Sequence, residues 1–164
     1  MEKVVQSKLK IDKNLVHVFN ESVTKDEAIN TLATTLHEHG YVKESFGPAV
    51  LEREKVFPTG LPTEPVGVAI PHTDAEHVLT SALAVGILAH PVTFQEMGSL
   101  DVTVDVHIIS MMAISDPKAV MPILRNLALA YQDHEFLASL KNSSNQQTVL
   151  DLFKRRIPDV IELV

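Results

Sequence analysis

The spacing of apolar residues along the chain alternates between a helical period and a strand period. Within residues 24–39, apolar residues such as Leu32 and Leu36 recur at the spacing of one buried helix face. Thr24 and Glu27, at the start of this segment, stand three positions apart, which is the pattern of a capping box. A helix is therefore predicted over residues 24–39.

Further segments have helical patterns, and two of them follow candidate capping residues. Asp133 and Ser144 stand where helix N-caps are expected, and Ser144 with Gln147 again has the spacing of a capping box. The helices predicted in this way cover residues 45–56, 117–131, 134–141 and 145–156.

Strands are predicted between the second and the third of these five helices. The segments rich in β-branched and apolar residues are 66–70, 82–88, 92–95 and 101–112. In the last of these, Val104 and Val106 alternate with Asp105 and His107, so one face of the strand begins partly polar. Helices, then strands, then helices indicate an α/β layered domain with a sheet between helices.

Composition restricts the classes of protein that this chain can belong to. Its 164 residues are 45% hydrophobic, which is typical of one globular domain, and no apolar run approaches the length of a membrane helix. The net charge of −7 disfavours nucleic-acid binding. The absence of cysteine excludes disulfides and thiolate chemistry, and the N-terminus has no apolar secretory segment. We expect a cytoplasmic protein, with one domain over residues 1–164 and a core at about 15–157.

The strongest candidate for chemistry is the histidine that follows the first predicted strand. The strand 66–70 is ended by Pro71, which fixes the backbone, and His72 comes next. Loops at strand ends commonly hold functional groups in α/β folds. Arg53, near the end of the preceding helix, adds a fixed positive charge, and the loop supplies hydroxyl and amide donors (Thr59, Gly60, Thr63, Gly67, Thr73). This set of donors suits an anionic ligand.

These residues also carry a resemblance to a known family. The stretches "LEREKVFPTG" and "VGVAIPHTDAEHV" resemble the active-site region of the IIA component of the phosphoenolpyruvate-dependent sugar phosphotransferase system, in the fructose–mannitol superfamily. "FPTG" followed by "AIPH" is similar to the galactitol-like branch. The resemblance follows the order of elements over about residues 20–155, and its specific motif lies within 51–77. It implies a single domain with a mixed β-sheet sandwiched between α-helices.

The resemblance also implies a phosphotransferase component that carries a phosphoryl group. His72 would accept the group from the carrier phospho-HPr and pass it to a cysteine of a IIB component, while sugar recognition lies in the membrane component IIC. Arg53 would face the phosphoryl group, with Thr59, Gly60, Pro71 and Thr73 in support. No metal or other cofactor is needed, because positioned donors stabilise the transferred group. His72 should be uncharged, held in one orientation and open to visiting proteins.

The other histidines are weaker candidates for the site. Many relatives have a second histidine near the acceptor, whereas the matching position here is Val120. His107 is a candidate substitute, and the alternative is an ordinary strand histidine. A zinc site formed by His72, His77 and Asp74 is disfavoured, because the two histidines lack the i, i+4 helical spacing of an HExxH site.

Two other functions are compatible with the sequence. The first is a regulatory module in which the phosphorylation state of His72 controls a regulator or a transporter. The second is a binding domain in which His72 is structural. Arg53 together with His72 in the register of the family disfavours the binding domain, and the "FPTG" motif favours transport over regulation, with galactitol as the candidate sugar.

Overall fold

The computed structural model of the protein describes residues 8–164. The predicted absence of a secretory segment concerns the first residues of the chain, and residues 1–7 lie outside the described part. Between residues 8 and 164, no helix is long and apolar enough to cross a membrane.

Seven strands and five α-helices form the described chain. The strands are β1 (Leu9–Ile11), β2 (Val16–Phe19), β3 (Gly60–Leu61), β4 (Gly67–Ala69), β5 (Ala82–Gln95), β6 (Thr103–Ala113) and β7 (Ile161–Leu163). The helices are α1 (Lys25–Glu38), α2 (Phe46–Val56), α3 (Val120–Ala130), α4 (His134–Lys141) and α5 (Gln146–Arg156). All five predicted helices are therefore present within a few residues of their expected bounds, and the helix expected at 117–131 begins with a 3₁₀ turn.

The strands form one mixed sheet in the order β3-β4-β6-β5-β1-β7, with β2 also paired to β5. The long central pair, β5 and β6, is antiparallel, whereas β4 pairs with β6 in parallel and β1 and β2 pair with β5 in parallel. The predicted mixed sheet is confirmed.

Helices cover both faces of the sheet centre. A Cβ on Gly86 of β5 would meet side-chain atoms of Phe19 and Leu32, so this residue faces α1. The preceding residue pairs with Ser110 of β6, whose hydroxyl accepts a hydrogen bond of 2.6 Å from Tyr131 at the end of α3. Neighbouring residues of a strand point to opposite faces. The sheet is therefore sandwiched between helices, as predicted.

Three sequence predictions need correction. Segments 82–88 and 92–95 are one strand with a register shift between Ile87 and Val92, because a bulge accommodates Pro91 without ending the strand. The N-cap of α5 is Asn145, whose Oδ1 accepts the Thr148 amide at 2.9 Å, and not Ser144. The core also extends beyond residues 15–157.

The extension of the core comes from the two ends of the described chain. Leu9 and Ile11 in β1 are fully buried, and Ile161 in β7 is only 4% exposed. These strands pair with each other in parallel, and β1 continues the sheet at the edge of β5. The chain ends thus complete the sheet on the side away from β4, the strand that leads to His72.

Candidate functional site

His72 lies just after the C-terminal end of β4, where neighbouring elements fix the backbone. Strand β4 ends at Ala69, and the carbonyl of Pro71 accepts a hydrogen bond of 3.2 Å from the Met112 amide in β6. Proline supplies no amide donor of its own. The contact with β6 therefore fixes the backbone directly before His72.

The imidazole of His72 is held by one ring nitrogen. Nδ1 lies 2.9 Å from the carbonyl oxygen of Ile70. Because a carbonyl can only accept, Nδ1 carries the proton in the neutral ring and the lone pair is on Nε2. Among residues 8–164, the fully buried side-chain nitrogens and oxygens without a partner are Arg53 Nε and His107 Nδ1. The hydrogen bond of the His72 ring within these residues is made by Nδ1, and Nε2 is not one of the buried unpartnered atoms, so Nε2 is unpaired and reaches the surface.

The His72 side chain is less open than the sequence suggested. Only 8% of the residue is exposed, so the expectation of a ring projecting toward visiting proteins is corrected to a ring set into the surface. Burial lowers the pKa of His72, and the nearby charge of Arg53 lowers it further, whereas the Ile70 carbonyl and Asp74 raise it. The ring is thus neutral near pH 7, as a nucleophilic imidazole must be.

Arg53 is brought to His72 by the last turn of α2. Its Nη1 lies 3.7 Å from Oδ1 of Asp74, two residues after the histidine, and its guanidinium carbon lies 5.1 Å from the centre of the Phe57 ring. A cation over an aromatic face is attracted to the ring. The charge of Arg53 is close enough to His72 to lower the pKa of that ring, and the buried Nε has no partner among the described residues.

A buried glutamate next to Arg53 belongs to the same region and was missed by the sequence analysis. Glu54 is 3% exposed and accepts hydrogen bonds from the Thr59 amide at 2.8 Å and the Thr59 hydroxyl at 3.0 Å. The same hydroxyl accepts a bond of 3.1 Å from the Ile70 amide. Burial raises the pKa of Glu54 to about 7, against the effects of Thr59, Lys25 and Arg53.

A sequence signal for Glu54 did exist. Phe46, Val50 and Glu54 follow one another at intervals of four residues, so they share one face of α2, and the first two are fully buried. A carboxylate at the third position of a buried stripe is unusual and indicates a specific partner.

The other predicted site residues have different surroundings. Thr73 is buried next to His72. Gly60 lies in β3 between the backbones of Ala69 and Glu96, and a Cβ there would come within 2.6 Å of the Gln95 carbonyl oxygen. This close backbone approach gives Gly60 a packing role.

His107 does not lie beside the acceptor histidine. The residue of β6 next to the acceptor is Met112, whose amide is hydrogen-bonded to Pro71. His107 comes five residues earlier on the same strand, which corresponds to about 16 Å. The interpretation of His107 as a substitute for a second active-site histidine is therefore wrong. Burial and the charge of Lys141 lower its pKa, and it lines a separate depression near Thr63.

His77 is hydrogen-bonded to Ser45 and does not belong to a metal site formed by residues 8–164. Its Nδ1 lies 2.8 Å from the hydroxyl oxygen of Ser45, and its Nε2 lies 3.6 Å from a carboxylate oxygen of Glu76. Within the described part of the chain, no group of three or more His, Cys, Asp or Glu side chains is arranged to hold a metal ion.

Comparison with known families identifies this arrangement. The profile of the family described as "Phosphoenolpyruvate-dependent sugar phosphotransferase system, EIIA 2" matches residues 10–156. The chain belongs to this family.

Two kinds of curated relative are similarly close to this EIIA chain. The transcriptional regulator ManR of Bacillus subtilis is 28% identical over 138 residues, which cover 83% of this chain and 20% of that protein. The galactitol-specific EIIA component of Escherichia coli K12 is 27% identical over 118 residues, or 72% of this chain and 78% of that protein. The chain thus spans about a fifth of the regulator and most of the galactitol component.

Solved structures confirm the fold of the EIIA chain. A IIA protein (PtxA) from Streptococcus mutans superposes with a TM-score of 0.72 at 22% identity, covering 90% of this chain and 91% of that one. The IIA mannitol protein of Escherichia coli, solved in complex with phosphorylated IIB mannitol, gives a TM-score of 0.71 at 23% identity over 87% of this chain and 96% of that one.

Proposed function

We propose that the chain is a phosphocarrier that accepts a phosphoryl group from phospho-HPr on Nε2 of His72 and passes it to a cysteine of a IIB component. The observation that carries this proposal is the state of the His72 ring. Nδ1–H is engaged with the Ile70 carbonyl at 2.9 Å, burial lowers the pKa of the ring, and Nε2 has no partner within residues 8–164. An uncharged imidazole with one free, fixed lone pair is suited to attack phosphorus.

Each transfer exchanges one bond to phosphorus for another. The Nε2 lone pair of His72 forms the new P–N bond while the P–N bond to the HPr histidine breaks, and the electron pair leaves with that histidine. The ring then carries positive charge, which the retained Nδ1–H bond to the Ile70 carbonyl stabilises. In the second transfer, a thiolate of IIB forms a P–S bond, and the His72 lone pair is restored.

Arg53 supplies the positive charge for the phosphoryl oxygens in this proposal. A planar guanidinium can bond two oxygens at once, and its buried Nε still lacks a partner among the described residues. Asp74 now contacts Arg53 at 3.7 Å and is 75% exposed at its side chain, so it can turn away when a more strongly charged group arrives. Positioned charge of this kind is the main means of catalysing phosphoryl transfer.

A labelling assay with the purified chain tests the proposal. Incubation with phosphoenolpyruvate, enzyme I and HPr should give an acid-labile phosphoryl group on the wild-type chain and none on His72→Gln. Arg53→Ala should slow labelling by about 10²-fold, as loss of one transition-state donor does elsewhere. Lys55→Ala is the matched control, because Lys55 lies on the same helix turn but pairs with Glu52. Failure of the wild-type chain to accept any label would contradict the proposal.

A regulatory function is the second candidate, and the similarity to ManR favours it. In this version His72 is still phosphorylated, but its state controls a regulator or a transporter. The phosphorylated chain can be offered to IIB domains, with a galactitol-type IIB first because of the galactitol-specific relative. Transfer to a IIB cysteine supports the transport role, and refusal of every IIB tested supports the regulatory one.

A further inference from the structure

We propose that Glu54 is a positioning residue that orients the His72 ring through Thr59 and Ile70, so that the lone pair of Nε2 faces the incoming phosphoryl group. This inference rests on the function proposed above, because it concerns the same acceptor nitrogen. Hydrogen bonds connect Glu54 to the Thr59 hydroxyl, that hydroxyl to the Ile70 amide, and the Ile70 carbonyl to the imidazole, and the backbone of Ile70 joins the last two.

The first contact fixes the hydroxyl of Thr59. Glu54 receives both the amide and the hydroxyl of Thr59, at 2.8 and 3.0 Å. The Thr59 proton therefore points toward the carboxylate, and the remaining lone pairs of Oγ1 are available as acceptors. Thr59 is itself only 3% exposed, so water is a poor substitute for either partner.

The second contact fixes the end of β4. The Thr59 hydroxyl accepts the Ile70 amide at 3.1 Å, directly after the last backbone pair between β3 and β4, Gly60 with Ala69. The side chain of Thr59 thus continues the ladder of hydrogen bonds by one residue. Without it, the buried Ile70 amide would lack an acceptor.

The third contact transmits this position to the imidazole. Ile70 is fully buried, its amide is held by Thr59, and its carbonyl oxygen receives Nδ1–H of His72 at 2.9 Å. The Ile70 carbonyl selects the His72 tautomer, and the amide of the same residue is held by Thr59. A shift of Ile70 would therefore move the Nδ1 acceptor and change both the ring orientation and the proton position.

The burial and the raised pKa of Glu54 indicate that this residue does not serve to stabilise the fold. Its carboxyl group is buried, and the charged groups that act on it are Lys25, at the start of α1, and Arg53. Burial outweighs these charges and the Thr59 bonds, raising the pKa of Glu54 to about 7. A buried carboxylate held at this cost, adjacent in sequence to the phosphoryl-facing arginine, is more typical of a functional site than of a core.

Variants of Thr59 test the proposal most directly. Thr59→Val keeps the shape of the side chain but removes the hydroxyl, and Thr59→Ser is the control that restores it. In wild type and Thr59→Ser, ¹⁵N NMR of the His72 ring should report the Nδ1–H tautomer. In Thr59→Val we expect a mixture of tautomers and a rate of phosphoryl acceptance at least about tenfold lower.

Glu54→Gln is the second variant, and it keeps the proposal testable if Thr59→Val does not fold. Glutamine has one accepting oxygen where the carboxylate has two, so it cannot keep both the Thr59 amide contact at 2.8 Å and the Thr59 hydroxyl contact at 3.0 Å, which use separate carboxylate oxygens. We expect a tautomer shift in the same direction, with the folded ¹H–¹⁵N spectrum preserved.

The readout by NMR separates this inference from the function itself. If the wild-type chain accepts no label but the tautomer still shifts in the variants, the proposed function fails, and only the control of the His72 ring orientation by Glu54 and Thr59 stands. If Glu54→Gln or Thr59→Val is folded and retains both the wild-type His72 tautomer and the wild-type rate, the positioning role is overturned.

Discussion

The pKa of the His72 ring is set by burial and by three neighbouring groups, which act in opposite directions. Burial and the positive charge of Arg53 lower it, and the Ile70 carbonyl and the negative charge of Asp74 raise it. The first two keep the ring uncharged, and the Ile70 contact decides which nitrogen keeps the lone pair. Asp74 works against neutrality, and it also contacts Arg53.

The substitution Asp74→Asn should therefore lower the pKa of His72 further. It removes the negative charge that favours the imidazolium and leaves Arg53 without its carboxylate contact. An NMR titration of the His72 ring protons measures this shift. Glu76→Gln is a suitable control, because Glu76 is equally exposed but contacts His77 instead. An unchanged or higher pKa in Asp74→Asn would contradict this description of the site.

The residues of the site differ in how far the sequence could predict them. His72 and Arg53 could be selected because a strand followed by Pro-His is a local pattern and the family motif surrounds it. The role of Glu54 depends on a contact with Thr59 and, through it, with Ile70 across two strands. Such a contact exists only once the sheet has formed, although the buried stripe of α2 gave a hint of it.

At the scale of secondary-structure elements, long periodic segments were predicted well, whereas β4 is the one strand of two or three residues between residues 8 and 164 that was predicted. The five helices and the long strand β6 each contain enough residues to show a period. Strands β1, β3 and β7 have only two or three residues, so their identity depends on pairing with strands that are distant in sequence. The continuity of β5 through its bulge is likewise decided by its neighbours.

The start of α5 gives a test at this scale. Asn145 accepts the Thr148 amide at 2.9 Å, whereas the predicted cap, Ser144, precedes the helix boundary. Asn145→Ala should lower the free energy of unfolding by about 1 kcal/mol, and Ser144→Ala should leave it nearly unchanged. Urea denaturation measures both. A larger loss for Ser144→Ala would show that the helix begins one residue earlier.

At the scale of the whole molecule, the site reduces stability near neutral pH. The carboxyl group of Glu54 has a pKa of about 7 in the folded chain against an ordinary value of 4.5. Between these two values the unfolded chain releases this proton first, so the contribution of Glu54 makes folding less favourable as pH rises through that window.

Comparison of wild type with Glu54→Gln isolates this contribution. From pH 4.5 to 7, the free energy of unfolding of wild type should fall relative to the variant by about 3 kcal/mol, since one pKa unit corresponds to about 1.4 kcal/mol. His17 and His107, whose pKa values are lowered, act in the opposite direction in both proteins and cancel in the difference. Denaturant titrations at several pH values give the result, and parallel curves would contradict it.

The most direct test of the carrier function is the identity of the phosphorylated atom. The chain, prepared with ¹⁵N-labelled histidine, is incubated with phosphoenolpyruvate, enzyme I and HPr and examined by ³¹P and ¹⁵N NMR. We predict one phosphorus–nitrogen bond, at Nε2 of His72, with Nδ1 still protonated and bonded to Ile70. A phosphoryl group on Nδ1, on another of the eight histidines, or on none of them would contradict the account.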